Sequence, residues 1–156
     1  MHPNVARVVE AGRSIGIDVQ PREFPDSTRT AAEAAAAIGV ELGQIVKSMV
    51  FTVDDLPVLA LVSGDRQVDE AKLAAAAGGA SSSRPDADRV RAATGFAVGG
   101  VPPFGHSSPL PVFVDAGLLR YQQVWAAAGT PHVNFPVDPH LLAVATGGAV
   151  ADVTRS

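Results

Sequence analysis

The stretch that decides the fold runs Ile45-Val-Lys-Ser-Met-Val-Phe-Thr-Val53, then Asp-Asp-Leu-Pro, then Val58-Leu-Ala-Leu-Val62. Both apolar runs are rich in residues that favour extended backbone. The four residues between them, at positions 54–57, are typical of a turn. We therefore predict a β-hairpin with strands over 45–53 and 58–62.

Helical and strand patterns alternate irregularly around this hairpin. We predict helices over 5–15, 31–38, 69–77, 85–93 and 139–146, and further strands over 17–20, 111–115, 122–127 and 132–135. Thr30 is a candidate N-cap of the second helix, since Glu33 follows three positions later. This order predicts an α/β chain of the α+β type. We expect one domain over residues 1–156, in which a mixed, mostly antiparallel sheet or partial barrel carries packed helices.

The composition is that of an ordinary soluble globular protein, with 47% hydrophobic and 18% charged residues. Disulfides and thiolate chemistry are excluded because the chain has no cysteine. The N-terminus does not resemble a signal peptide and no apolar run is long enough for a membrane span, so we expect a cytoplasmic protein with no membrane partner. A net charge of −4 argues against strong binding to DNA or long RNA.

A loop rich in glycine and proline follows the fourth predicted helix. It reads Thr94-Gly-Phe-Ala-Val-Gly99-Gly100-Val-Pro102-Pro103-Phe-Gly105. Glycine opens backbone conformations and proline restricts them, so the segment predicts a rigid loop whose free amides could hold a ligand. A tight crossover turn is the alternative. If the loop binds a ligand, its donors are the amides of Gly99, Gly100 or Val101, because proline has no N–H.

Lys47 is the polar residue of an otherwise apolar strand face that it shares with Ile45, Met49 and Phe51. A buried ammonium needs a partner, or its pKa falls. The alternative is a lysine whose stem packs against the core while its head reaches solvent.

Asp115 ends the apolar strand Val112-Phe113-Val114 and either faces a cleft or caps a turn. His132 follows the turn Gly129-Thr130-Pro131. The four histidines show no metal-binding spacing, so we expect neither a metal nor a cofactor.

The strand around Lys47, the glycine-proline loop, the strand ending at Asp115 and the turn before His132 resemble, in order and spacing, the YbaK / prolyl-tRNA-synthetase-associated editing domain family. The resemblance runs from about Val5 to Asp152. It implies the fold of that family and hydrolysis of wrongly charged aminoacyl-tRNA at the acceptor end, without a covalent enzyme intermediate.

The resemblance also implies roles for individual residues. Lys47 would contact the terminal nucleotide, the amides of the loop would stabilise the developing negative charge, and Asp115 and His132 would orient hydroxyls, amine or water. Thr30 would shape the amino-acid pocket, where the cysteine-directed branch has an aromatic residue, and this favours alanine or another small residue on tRNA(Pro) or a similar tRNA. The other residues expected to contact substrate are Ser48, Pro102, Pro103, Phe104, Gly105 and Gly129.

Two other functions remain open at this point. The chain could be a non-catalytic module that binds aminoacyl-tRNA or other RNA, or a hydrolase of another small aminoacyl ester. The acidic charge balance favours both of these, whereas Lys47, the loop, Asp115 and His132 favour the deacylase.

Overall fold

The predicted hairpin forms the centre of the larger sheet. The computed structural model describes residues 1–155, and in it β2 (Val46–Val53) pairs antiparallel with β3 (Leu56–Ser63). The turn is shorter than predicted, because only Asp54 and Asp55 turn, with φ of 48° and 69°. Such values are typical of two-residue hairpins. Pro57 is therefore a strand residue; it lies opposite Thr52, where its missing N–H would point away from β2.

The remaining elements follow the predicted order. The helices are α1 (Pro3–Ser14), α2 (Ala31–Ile38), α3 (Glu70–Ala76), α4 (Ala87–Thr94) and α5 (Pro139–Thr146). The other strands are β1 (Arg22–Glu23), β4 (Ser82–Ser83), β5 (Val112–Asp115), β6 (Val124–Ala127), β7 (Val133–Val137) and β8 (Ala149–Ala151). Short 3-10 turns occupy Leu42–Gln44 and Ala116–Arg120.

Two sheets form, and neither closes into a barrel. The larger has the order β4-β2-β3-β5-β8, with β5 parallel to both of its neighbours, and the smaller has the order β1-β7-β6. A single bridge from Ile45 to Trp125 connects them. The expectation of a mixed, mostly antiparallel α+β fold is confirmed, because four of the six strand pairs are antiparallel.

The strand predictions fail at the two ends of the chain. Residues 17–20 form no strand, although they bury Ile17 and Val19, and a two-residue strand forms at β1 instead. Strand β8 lies in a segment for which no element is predicted, and it adds to β5. In both places the neighbour, rather than the local pattern, decides whether a strand forms.

The two faces of β2 pack into different cores. Val46 and Val50 join the main core with α1, α5 and the smaller sheet, whereas Phe51 and Val53 pack toward α3. Thr30 caps α2 as predicted, accepting the amide of Glu33 at 3.1 Å. None of the described helices is both long enough and apolar enough to cross a membrane.

Candidate active site

A cavity of about 380 Å³ opens beside the hairpin. Its wall is built by the loop before α2, the N-terminal half of α2, strand β2, residues 84–85, the glycine-proline loop and the ends of β6 and β7. Much of the wall is apolar. Its charged members are Arg29, Lys47 and Arg84, and no Asp or Glu within residues 1–155 lines it.

An unpaired edge of β2 borders this cavity. Leu59 lies opposite Val50 and donates its amide to the carbonyl of Pro111, away from β2. Because hydrogen-bonded and non-hydrogen-bonded pairs alternate in an antiparallel ladder, the backbone N–H and C=O groups of Ser48 and Val50 also point away from β3. Strand β4 covers β2 only at Thr52 and Val53. In the part of the chain that the structure describes, Ser48 and Val50 therefore lack a strand partner on that side. The side-chain Oγ of Ser48 is also buried without a hydrogen-bond partner there.

Lys47 lies on β2 and lines the cavity with a half-buried side chain. Its Nζ donates to the backbone carbonyl of Arg66. Burial lowers the pKa of this ammonium from its ordinary value of 10.5; the charge of Asp65 opposes that shift and the charge of Arg84 adds to it. The lysine therefore has a neutral hydrogen-bond acceptor, and no carboxylate oxygen of residues 1–155 lies within 4.0 Å of its Nζ.

The glycine-proline loop contributes two residues with unpartnered amides to the wall of the same cavity. Gly99 and Val101 line the wall, and their N–H groups donate to no acceptor among residues 1–155. Gly99 has φ +91°, which strongly favours glycine. The amide of Gly100 already donates to Ala97 at 3.0 Å, so the set of expected donors is reduced to Gly99 and Val101.

The second half of the loop points into the protein. Pro102, Pro103 and Phe104 are buried and line no part of the cavity. Phe104 packs edge-to-face on Phe135, with ring centroids 5.7 Å apart. Gly105 lies beside α1. These positions do not support the contact with substrate that was expected for residues 102–105. The segment instead packs in the core and supports the part of the loop that lines the cavity.

His106 supports the same segment. Its Nε2 lies 2.7 Å from the carbonyl oxygen of Pro102, and burial lowers the pKa of its imidazole. A neutral ring that donates from Nε2 fits this position.

Asp115 lies away from the cavity, with only 1% of its surface exposed. Its carboxylate accepts the amides of Gly117 and Val153 at 3.1 and 3.0 Å and faces Arg66 at 3.9 Å. These contacts anchor the C-terminal segment. The catalytic role expected for Asp115 is therefore not supported by its position, since its buried oxygens already accept donors from the protein.

His132 and Gly129 also lie outside the cavity wall. The His132 side chain is exposed, and its backbone carbonyl accepts the amide of Phe24. Gly129 packs against Asn4, which donates to its carbonyl at 3.2 Å, and it also contacts Gly100. The structure therefore does not bring His132 or Gly129 into the cavity wall, and the roles expected for them stay predictions.

The structure adds four polar residues that sequence reasoning missed: Thr28, Arg29, Arg84 and Asn134. Asn134 is buried and donates Nδ2 to Thr28 Oγ1 at 2.6 Å, and Thr28 in turn donates to the carbonyl of Pro131. The alternation of residues 132–135 could have indicated Asn134, because it shares a strand face with His132. No sequence signal marked Arg84.

The cavity therefore combines a lysine, two free loop amides and the capping threonine of α2, and five of the expected residues meet there: Thr30, Lys47, Ser48, Gly99 and Val101. No three His, Asp or Glu side chains of residues 1–155 are close enough together to hold a metal ion. Amides beside a cation can stabilise an anion or an oxygen that gains negative charge.

A family model for the aminoacyl-tRNA editing domain matches residues 25–144. The chain belongs to the aminoacyl-tRNA editing domain family. The matched range of this editing domain contains every residue of the cavity wall. Helix α1 and strand β8 lie outside it.

Proteins similar to the editing domain come from several bacteria. YwhH of Bacillus subtilis, an uncharacterized protein, is 33% identical over 118 residues, which are 75% of this chain and 74% of YwhH. EbsC of Enterococcus faecalis, named as a proposed Cys-tRNA(Pro)/Cys-tRNA(Cys) deacylase, is 27% identical over 80% of this chain and 77% of EbsC. The proline–tRNA ligase of Maridesulfovibrio salexigens is 40% identical over 67% of this chain but only 18% of the ligase.

Solved structures share the whole fold. A crystal structure described as a proposed trans-editing enzyme for prolyl-tRNA synthetase superposes with a TM-score of 0.92 at 44% identity, covering 100% of this chain and 99% of that one. A hypothetical protein superposes with a TM-score of 0.89 at 30% identity, covering 96% and 99%. The editing-domain fold is thereby confirmed. The chain is a trans-editing hydrolase that cleaves the ester bond of mischarged aminoacyl-tRNA.

Proposed function

We propose that the chain removes alanine or another small amino acid from tRNA(Pro) or a similar tRNA, and that it binds the acceptor end in the cavity beside β2. The names of two relatives, one a deacylase of Cys-tRNA(Pro) and one a trans-editing enzyme for prolyl-tRNA synthetase, support the choice of tRNA. The cytoplasm, where tRNA is charged, is the place of action under this proposal.

One observation carries the proposed site. The ammonium of Lys47 and the unpartnered amides of Gly99 and Val101 line a single cavity of about 380 Å³. An ester carbonyl held at the two amides would gain negative charge as water attacks it, and such donors act most strongly on that developing charge. Losing one donor of this kind typically lowers the rate by roughly 10²–10³.

We assign to Lys47 the binding of the terminal nucleotide of the tRNA. Anchoring the adenosine or its phosphate fixes the ester relative to the amides, and positioning of this kind lowers the barrier by converting an encounter into an intramolecular step. Proton transfer is assigned to the neighbouring ribose hydroxyl of the substrate and to water. Ser48 follows Lys47 on β2 and Thr30 caps α2, and both line the cavity. They are assigned to the aminoacyl group.

Selection of a small amino acid is assigned to the apolar part of the wall. Ala34, Val46, Val50, Val90 and Val101 line the cavity. We assign the exclusion of larger side chains to this wall, since a difference of one methylene changes the binding free energy by only about 1–3 kcal/mol. Rejection of correctly charged tRNA therefore depends on size and on the tRNA itself.

A panel of mischarged tRNAs tests the proposal directly. We expect turnover of Ala-tRNA(Pro) or a related small-residue ester, and a loss of at least roughly 10²-fold in kcat/KM for Lys47→Met, which keeps the packed stem but removes the charge. Lys72→Met is the matched control, because Lys72 is the other lysine of the chain and pairs with Asp152, away from the cavity.

Three results would contradict the proposal. Binding of charged tRNA without turnover of any ester would indicate a binding module. Equal turnover of minimal aminoacyl esters and of every tRNA would indicate a general esterase. Full activity of Lys47→Met with unchanged thermal unfolding would remove Lys47 from the site.

A further inference from the structure

We propose that Arg29 and Arg84 form a clamp for the phosphodiesters of the single-stranded 3′ end of the tRNA, next to the cavity that holds the ester. This inference rests on the proposed function and adds the part of the substrate that lies outside the ester pocket. We call the two side chains the arginine clamp.

The first argument is the distribution of ion pairs. None of the three cavity-lining cations, Arg29, Lys47 and Arg84, has a carboxylate oxygen of residues 1–155 within 4.0 Å. The other nine Lys and Arg residues include five that are paired: Arg13, Arg66, Lys72, Arg89 and Arg120. The cavity therefore concentrates cations that form no ion pair with residues 1–155, although the chain carries −4 overall.

The second argument is the rigid backbone on either side of Arg29. The preceding residue, Thr28, donates its amide and its hydroxyl to the carbonyl of Pro131 at 2.7 and 3.0 Å. The following residue, Thr30, caps α2. An arginine that starts from a fixed backbone loses less conformational entropy when it binds a phosphate.

Arg84 is fixed in a comparable way. Strand β4 ends at the preceding residue, Ser83, whose Oγ lies 3.0 Å from Thr52 Oγ1. Pro85 follows, and Asp86 caps α4 by accepting the amide of Arg89 at 2.8 Å. The Arg84 side chain is exposed. Its guanidinium carbon lies over the Phe51 ring, 5.9 Å from the ring centre, and its N–H groups have no carboxylate partner among residues 1–155.

The third argument is the contact between Arg29 and the glycine-proline loop. A Cβ added at Gly99 would come within 2.4 Å of the Cγ of Arg29, so the arginine stem lies directly against the glycine. A phosphate bound by Arg29 would therefore sit beside the loop that presents the amides of Gly99 and Val101. The distance from ester to phosphate along a nucleotide is short, which fits this adjacency.

The chemistry of the ligand follows from these three points. A guanidinium binds a phosphate through two parallel hydrogen bonds, and a phosphodiester carries one negative charge. Low aromatic content (5% of the chain) makes base stacking a minor contribution, so charge is the main attraction for this strand.

The test compares two substrates that share one ester. One is the mischarged tRNA, and the other is the same aminoacyl group on adenosine, which has no phosphate. We expect Arg29→Ala and Arg84→Ala each to lower kcat/KM on the tRNA by about tenfold or more. Turnover of the aminoacyl-adenosine should stay within about twofold. Arg91→Ala is the matched control, because Arg91 is exposed, has no carboxylate partner within residues 1–155 and lies outside the cavity wall.

Salt dependence gives the second readout. Fluorescence anisotropy of an RNA oligonucleotide ending in CCA should show a slope of log affinity against log salt that is smaller by about 0.7 for each clamp arginine removed. Because this measurement requires no turnover, it tests whether the two arginines bind phosphate even if the proposed function is wrong.

Two outcomes would overturn the clamp. An equal loss on both substrates would place the arginines in the ester pocket or in the fold. Unchanged turnover of the tRNA, with an unchanged salt slope for the oligonucleotide, would show that neither arginine contacts phosphate. Thermal unfolding of each variant, compared with that of Arg91→Ala, separates a folding defect from lost binding.

Discussion

At the scale of single residues, Lys47 carries its charge where the fold disfavours it. Burial lowers the pKa of the ammonium, and its hydrogen-bond acceptor is a neutral carbonyl, that of Arg66. A phosphate that entered the cavity would supply the opposite charge that the protein does not place there, so it would stabilise the protonated form.

This arrangement predicts a pH-dependent affinity. The non-hydrolysable compound 3′-alanylamido-3′-deoxyadenosine 5′-monophosphate should bind less tightly as the pH rises, with a midpoint below 10.5. The reason is that a lysine whose pKa is lowered loses its proton earlier than an ordinary one. Calorimetric titrations between about pH 7 and pH 10 measure the effect. Lys47→Arg should lack this step because a guanidinium stays charged; an identical step in both proteins would assign the titration to another group.

At the scale of elements, the β2–β3 turn attaches the hairpin to the segment after α3. Asp54 and Asp55 share left-handed backbone, but only Asp54 uses its carboxylate on backbone amides, those of Ala80 and Ser81, at 3.0–3.1 Å. Asp55 instead pairs with Arg89 from an exposed position. The same substitution at the two positions therefore separates backbone strain from tertiary contact.

We expect Asp54→Gly to lower the free energy of unfolding by about 1–3 kcal/mol, because two amides lose their acceptor. Asp55→Gly should leave the free energy of unfolding nearly unchanged, since glycine relieves the left-handed backbone while an exposed ion pair is lost. Urea titrations of both variants measure the difference. Equal losses would show that backbone conformation, rather than the contact with residues 80–81, decides the stability of the turn.

The glycine-proline loop is a second element with two distinct halves. Val98, Gly99 and Val101 in its middle line the cavity, whereas Phe104 near its end packs into the core between α1 and β7. This division explains how a segment so rich in glycine keeps its amides in place: the buried residues Pro102 and Phe104 fix the loop from behind.

At the scale of the whole molecule, the C-terminal segment forms one edge of the larger sheet. Strand β8 adds to β5, and the following residues are held by Asp115, which accepts the amide of Val153 and the hydroxyl of Thr154. Asp115 also faces Arg66, whose carbonyl holds Lys47. These contacts predict a structural role for Asp115.

Asp115→Ala should therefore lower stability rather than catalysis. Two amides, of Gly117 and Val153, lose their acceptor, and we expect the free energy of unfolding to fall by about 2–5 kcal/mol. At a temperature where the variant stays folded, kcat/KM should remain within about twofold of the parent. A large loss of kcat/KM at unchanged stability would return Asp115 to the active site.

The candidate site was predictable from sequence in part. Lys47 and the glycine-proline loop stand out locally, because a lysine is unusual in an apolar strand and few segments alternate glycine with proline. Asp115 also stands out locally, yet its carboxylate accepts hydrogen bonds from the C-terminal segment. Arg29 and Arg84 carry no local signal at all, since exposed arginines are common. Arg29 and Arg84 become candidate site residues only because the fold places them in the same cavity wall as Lys47 and Gly99.

The amino-acid sequence by itself determined the hairpin, all five helices and the type of chemistry, since these depend on periodicity, capping residues and residue types that act over a few positions. Only the tertiary structure decided which polar groups face the cavity, because long-range contacts assign each carboxylate, amide and guanidinium either to a partner in the protein or to a ligand. Asp115 and Arg29 illustrate the two outcomes: the carboxylate of Asp115 accepts donors from Val153 and Thr154, which are 38 and 39 residues away, whereas no carboxylate of residues 1–155 lies within 4.0 Å of the Arg29 guanidinium.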